Sequence, residues 1–190
     1  IPYFDGHNDT LLQLYFLENK IKINDFIEGN LNNHIDIPRI KKANFVGGFF
    51  AIFSPGEQPT EEFFSRMNKS GYDFKLPDPL PYSKALTATI SMISILNDLQ
   101  ENLSDEIMIC KNSKEIKYSI DNNKIAIILH IEGAEAISEN FDSLGILYSL
   151  GVRSIGPVWS RPNIFGHGVP FSFPKSPDTG PGLTELGKEL

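Results

Sequence analysis

The sequence predicts an α/β fold organised around a parallel sheet. Three observations carry that reading. Residues 45–53 (FVGGFFAIF) and 125–131 (IAIILHI) are almost unbroken apolar runs, the pattern of strands covered on both faces by crossover helices. Segments between such runs repeat apolar residues three and four apart, the helical period. Polar and charged residues gather where the strands end: His7 and Asp9, Glu132, Arg161. Strand and helix in alternation is the pattern of βα units.

Taken in order, residues 3–7 read as a short strand. Residues 10–19 read as a helical turn or two, with apolar side chains at 11, 12, 14, 15, 16 and 17. Residues 24–33 are polar, with three asparagines and a glycine near their end, and read as a loop. A short helix follows over 36–43. Asp36 is its N-cap, and Pro38 falls in the first turn, where a missing N–H costs nothing. Residues 45–53 form the first long strand. The connection over 54–81 carries prolines at 55, 59, 77, 79 and 81, with room for a short helix over 61–67; a connection that long is usually functional or disordered. Residues 82–100 make the clearest helix, through Ala85, Leu86, Ile90, Ile93, Leu96 and Leu99.

Residues 107–109 are either an edge strand or the lead into a helix over 113–120. The strand over 125–131 runs into Glu132 and Gly133. An amphipathic helix over 141–150 ends at Gly151, a C-cap glycine. Residues 152–159 form a further strand, 160–182 a loop rich in Gly and Pro, and 183–190 the start of another helix. These are four βα units. No G-x-G-x-x-G or P-loop follows the first strand, as a nucleotide-binding doubly wound sheet would require. Polar strand ends fit instead the C-terminal mouth of a (β/α)8 TIM-type barrel, the face on which such barrels carry their active sites. Four units are half of that barrel, so residues 1–190 are expected to be the N-terminal half of one barrel domain.

Composition is that of a folded globular protein, 41% hydrophobic and 22% charged. A net charge of −7, from 17 Lys and Arg against 24 Asp and Glu, argues against a nucleic-acid partner, which needs a basic face. The single cysteine, Cys110, allows neither an internal disulfide nor a multi-cysteine zinc site. Its apolar neighbours Ile107, Met108 and Ile109 mark it as a buried thiol. No run reaches the roughly 18–20 apolar residues of a membrane helix. The chain opens without Met, close to a strand, and closes within a helical pattern, which reads as a fragment of a longer protein. With no leader or anchor legible, a cytoplasmic location is expected, and a homodimer is compatible with the sequence.

Chemistry is densest in Phe4-Asp5-Gly6-His7-Asn8-Asp9-Thr10. In an extended strand residues two apart share a face, so His7 and Asp9 would project side by side. Imidazole nitrogen and carboxylate oxygen both suit zinc; the same triplet also fits a polar strand-to-loop turn. Glu132 directly ends an apolar strand, where an unpartnered carboxylate costs several kcal/mol. It either caps the next turn and reaches water, or ligates metal. Its two oxygens could bridge two ions about 3.5–4 Å apart. His130 shares Glu132's face and reads as a packed histidine. His167 lies on a glycine-flanked loop near the mouth, and His34 reads as surface. Arg161 is either a solvated loop residue or a bidentate clamp for a substrate carboxylate.

The segments Asp5–Asp9, Ile37–Ile40, Val46–Phe50, Ile131–Gly133 and Leu147–Arg153, in that order, together with the tail over 182–190, resemble the renal (membrane) dipeptidase family. These are zinc metallopeptidases of the amidohydrolase-like superfamily, and the resemblance spans the whole chain. It implies a (β/α)8 barrel and hydrolysis of dipeptides at two Zn2+ ions, with His7 and Asp9 on one ion and Glu132 bridging it to the second. Zinc would lower the pKa of a bridging water toward 7, and the resulting hydroxide would attack the amide carbon. The family's other ligands, two histidines and an aspartate, and its proton-transferring aspartate fall beyond Leu190, so no catalytic base is assigned within the chain.

This piece alone is therefore expected to be inactive, and poorly stable with two open sheet edges. One departure stands out. Where mammalian members have a substrate-binding histidine after the fourth strand, this sequence has Trp159, whose indole N–H can only donate. Trp159 and Arg161 are the substrate-binding candidates, with the loops 54–81 and 160–182 expected to shape the pocket. Two other readings compete: an amidohydrolase acting on an N-acyl amino acid, lactam or ester, and an inactive barrel used for binding.

Overall fold

The computed structural model describes residues 1–17, 22–29, 33–56, 61–67, 70–176, 178 and 180–190. Its strands are β1 (Tyr3–Asn8), β2 (Phe45–Phe53), β3 (Tyr72–Phe74), β4 (Ile107–Ile109), β5 (Ile125–Glu132), β6 (Val152–Gly156) and β7 (Phe171–Phe173). Its helices are α1 (Thr10–Phe16), α2 (Lys22–Glu28), α3 (Ile37–Ala43), α4 (Glu61–Arg66), α5 (Tyr82–Asn102), α6 (Ser113–Asp121), α7 (Asp142–Leu150) and α8 (Glu185–Glu189). A 3₁₀ turn over Ala134–Ala136 follows β5.

Five strands form one parallel sheet. β2 lies between β1 and β5, with Gly47–Phe53 opposite Ala126–Glu132. The far edge of β5 is shared end to end: β4 pairs with Ile125, Ala126 and Ile127, and β6 with the stretch from Leu129 to Glu132. Beyond the four expected units, β4 and α6 add a brief βα unit between β2 and β5 in the chain, with β4 at the edge of the sheet and outside the order β1-β2-β5-β6. The alternation of α and β and the parallel pairing are as expected. Residues 107–109 are the edge strand and 113–121 the helix, so both readings of that segment hold in succession.

Side-chain alternation divides the sheet into unlike faces. Phe50, Ile52, Ile127, Leu129 and Ile131 point one way and are buried under Leu11 and Leu14 of α1, Phe26 of α2, and Met92, Leu96 and Leu99 of α5. Each fully buried side chain of this kind contributes about 1.5–3 kcal/mol. The other face presents Phe49, Phe53, Ile128, His130 and Glu132, all only partly buried. Coverage on both faces, which the apolar runs predict, is met on one.

Local signals explain most boundaries. Asp36 caps α3 by accepting the Arg39 backbone N–H at 2.9 Å, and Asn44 ends the helix in the left-handed region at φ 56°. Gly151 closes α7 at φ 113°, as its C-cap assignment requires. β6 stops at Gly156, three residues short of the predicted strand. Ile90, counted with the buried stripe of α5, is half exposed. The predicted loop over 24–33 is helical up to Glu28, where Phe26 is fully buried and Ile23 and Ile27 pack on the core. Residues 18 and 19 of the first predicted helix and 30–32 of that loop lie outside the described residues. β3 and β7 pair antiparallel, so the two long connections predicted to shape the mouth are joined in one ribbon.

Gly47 shows how tightly β1, β2 and β5 fit. A Cβ there would strike the Ala126 carbonyl and stand 2.6 Å from the Phe4 ring. Overpacking of that kind costs about 1–3 kcal/mol. Gly47→Ala is expected to lower the urea midpoint correspondingly, and an unchanged midpoint would contradict the contact. Cys110 is buried as predicted. Burial, and secondarily the Glu115 carboxylate, pushes its thiol up to about 11. At pH 8 roughly one thiol in a thousand is then ionised. Native protein should resist a thiol reagent that labels the urea-unfolded chain at once; equal rates in the two states would refute the burial.

Candidate metal centre

The end of β1 is built on an irregularity. Asp5 pairs with Gly48 and Asn8 with Phe50, three residues of β1 against two of β2. That extra residue is a β-bulge, a device that re-aims side chains. Phe4 stands opposite Gly47, on the face that carries His130 and Glu132. Strict alternation would turn Gly6 and Asn8 to the same face. The bulge reverses the phase, so Asn8 is buried against the outer layer and His7 turns inward. Asn8 holds the arrangement: its Nδ2 donates to Asp5 Oδ2 at 3.0 Å and to the Phe49 carbonyl at 3.2 Å, and its Oδ1 accepts the Thr10 N–H at 3.3 Å.

Asp9 joins His7 by a different route from the one the triplet suggests. It lies outside β1, at the N-cap of α1, with φ −100° and ψ 27°, near the sparsely allowed bridge region where many active-site residues sit. From there its Oδ1 stands 3.4 Å from His7 Nε2, and Glu132 Oε2, at the end of β5, is also 3.4 Å from that nitrogen. One ligand atom from each of the three residues lies within 4.8 Å of the others. Adjacent donors on a tetrahedral zinc with bonds of about 2.0–2.1 Å are about 3.4 Å apart. The spacing and the donor types therefore fit one such ion.

Electrostatics favour a cation at that point. Glu132's carboxyl is pushed up, chiefly by desolvation and then by the Asp9 and Glu135 carboxylates, while His7 pulls it down. Two carboxylates converging on one imidazole are relieved by added positive charge. His7 and Asp9 border a cleft of about 280 Å³ that also reaches Gln13 and His34. His34 is exposed as predicted, yet sits on the rim of the cleft. A larger cleft, about 650 Å³, lies beside β4 and α6, with Met108, Tyr118 and Lys124 on its walls, away from the three donors.

The remaining candidates divide. Trp159 is exposed just past β6, and its ring meets Phe53 at 5.5 Å and Phe171 at 5.8 Å. Phe53 pairs with Glu132 across the sheet, so this aromatic group flanks the donors. Arg161 is a correction. It is neither solvated nor free to clamp a substrate carboxylate: it is 4% exposed, its Nε donates to Glu135 Oε1 at 2.8 Å, and its Nη2 donates to the Ser54 carbonyl at 2.6 Å. Its guanidinium also lies 5.3 Å from the Phe53 ring centre. The pair ties together the segments that leave β2, β5 and β6.

His130 is half-buried on the inner face, with Nδ1 2.8 Å from Ser154 Oγ; burial and the neighbouring His7 lower its pKa. His167 is exposed, its backbone N–H bonded to the Gly182 carbonyl at 3.1 Å. Sequence reasoning missed Asn8, Glu135 and Ser154. The position of Asn8 between two candidate ligands was the available signal; nothing local announced the partners of Glu135 or Ser154.

Known proteins share this arrangement of elements. A metallopeptidase from Rhodobacter sphaeroides, solved with a phosphinate mimic of the dipeptide L-Ala-D-Ala, is 40% identical with a TM-score of 0.94, covering 100% of this chain and 54% of that one. The crystal structure of dipeptidase AC, a metallopeptidase of family M19, gives 40% identity and a TM-score of 0.93 over 100% of this chain and 53% of that one. An uncharacterized protein in the PQQ-III 3′ region of Acinetobacter calcoaceticus is 38% identical over 192 residues, 100% of this chain and 59% of the relative. The chain thus spans between half and three-fifths of the length of these relatives. Across residues 1–190 the sequence matches the family model for membrane dipeptidases, peptidase family M19, and the chain belongs to that family.

Proposed function

We propose that the protein is a zinc-dependent dipeptidase. The observation that carries the reading is the convergence of His7 Nε2, Asp9 Oδ1 and Glu132 Oε2 within 4.8 Å at the C-terminal ends of β1 and β5. In this reading β1, β2, β5 and β6 are consecutive strands of a (β/α)8 barrel, and their half-buried inner face is the barrel interior. His7 and Asp9 would hold one zinc, and Glu132 would be shared between it and a second. Bound there, zinc supplies a Lewis acid that activates water and polarises the amide carbonyl. The chain's own residues orient the donors through Asn8 and flank the substrate with Trp159. Family membership supports the substrate class, as does the dipeptide mimic bound by the Rhodobacter sphaeroides relative. Among the described residues no helix is long and apolar enough to cross a membrane.

The test is an assay of the intact, zinc-loaded protein on L-L and L-D dipeptides beside N-acyl amino acids, with elemental analysis of the same sample. Dipeptide hydrolysis that chelation abolishes and zinc restores is expected, with two zinc ions per chain. Turnover of acylated amino acids without dipeptide turnover would move the protein to another amidohydrolase class. One zinc per chain in active protein would remove the bridging role from Glu132.

A further inference from the structure

We propose that His130 binds substrate in this site, its Nε2–H donating a hydrogen bond to an oxygen of the dipeptide. The inference rests on the dipeptidase reading above and adds to it a residue outside the metal-binding set.

The imidazole is fixed from three strands. Ser154 of β6 engages Nδ1 at 2.8 Å. The rings of His7 in β1 and Phe49 in β2 meet it edge to face, with centroids 5.9 and 6.2 Å away. Nε2, on the opposite edge, has no hydrogen-bond partner among the described residues. That edge faces Gly156: a Cβ built there would lie 3.7 Å from Cε1 and 3.9 Å from Nε2. Gly156 is the residue paired with Glu132, so the open edge of His130 stands level with the candidate ligand, against a residue that carries no side chain.

A histidine used only for packing would cover both nitrogens or satisfy both, since an unmade buried hydrogen bond is costly. Here one nitrogen is anchored and the other is left open beside the three donors, the arrangement by which a histidine is oriented for use. The 2.8 Å contact lets either partner donate; in the proposed arrangement the Ser154 hydroxyl donates to Nδ1, which puts the ring proton on Nε2. The imidazole then offers a neutral donor suited to a carbonyl or carboxylate oxygen. His130 is not one of the three residues whose ligand atoms lie within 4.8 Å of one another, which separates it from the ion they would hold.

The experiment compares intact, zinc-loaded wild type with His130→Leu, His130→Gln and Ser154→Ala, reading zinc content, KM and kcat on a dipeptide the wild type hydrolyses. His130→Leu is expected to lower kcat/KM by about tenfold to a hundredfold with zinc content unchanged. His130→Gln, which keeps an N–H, should recover part of the loss, and Ser154→Ala should show a smaller loss of the same kind. Unchanged kinetics in His130→Leu would return the residue to packing. Loss of zinc in that variant would make it a ligand or a prop for His7, and overturn the proposal equally. Wild type that hydrolyses no dipeptide would instead overturn the dipeptidase reading, and this inference with it.

Discussion

Arg161→Met is expected to destabilise the protein by about 3–5 kcal/mol, the cost of breaking a buried ion pair from one side. The side chains of Arg161 and Glu135 are only 5% and 3% exposed, so water cannot replace the lost partner. Glu135 is especially vulnerable: its Oε2 has no hydrogen-bond partner among the described residues, and Oε1 has the Arg161 Nε. Removing the guanidinium leaves the carboxylate buried and unpaired, and strips the Ser54 carbonyl of its donor. The Phe53 ring loses its cation at the same time. Glu135→Leu should cost a similar amount by stranding the arginine. The double variant should recover much of the loss, because two apolar side chains bury well where one unpaired charge does not. Urea unfolding of the wild type, both single variants and the double variant closes that cycle. Single losses below 1 kcal/mol, or a double loss equal to the sum, would show the pair to be dispensable. Because Glu135 lies three residues after Glu132, the single variants should also loosen the donor cluster.

The same pair shows where sequence reasoning stops. Arg161 sits in a segment rich in Gly and Pro, and its local signal is that of an exposed loop. Its burial is decided by Glu135, 26 residues away, and Ser54, 107 residues away. The strands were legible because burial writes itself into consecutive residues. β2 runs over the nine residues 45–53 as expected, and β5 over 125–132. α2 was not legible, because its polar surface residues and the asparagines that follow outweigh one buried phenylalanine in any local count. The β3–β7 ribbon was hidden for the reason Arg161 was: pairing across about a hundred residues leaves no local period. The pairing of His7 with Asp9 was right in outcome and incomplete in cause. Period two assumes an uninterrupted strand, whereas the chain reaches the arrangement through a bulge and a strand-to-helix junction.

That bulge sets the second large expectation: Asn8→Ala should weaken zinc binding by about tenfold to a hundredfold, the usual cost of removing a group that orients a ligand. Asn8 touches neither His7 nor Asp9 through its side chain. It acts on both through the backbone, since its amide fastens the strand to the Phe49 carbonyl and its Oδ1 holds the first N–H of α1. Without it the extra residue of β1 has no fixed place. The phase that turns His7 inward is then held only by the surrounding ladder. Asn8→Asp, nearly identical in shape, is expected to be at least as damaging. It removes both N–H donors and sets a second carboxylate against Asp5 Oδ2, now 3.0 Å from the amide nitrogen. A merely structural role would lower the melting temperature and leave affinity alone. Zinc affinity is therefore to be measured by competition with a chromophoric chelator, well below the melting transition, where each variant is fully folded by circular dichroism. Wild-type affinity in folded Asn8→Ala would mean that the ladder alone sets the aim of His7; a loss of tenfold or more in both variants would place the precision of the site in the Asn8 amide.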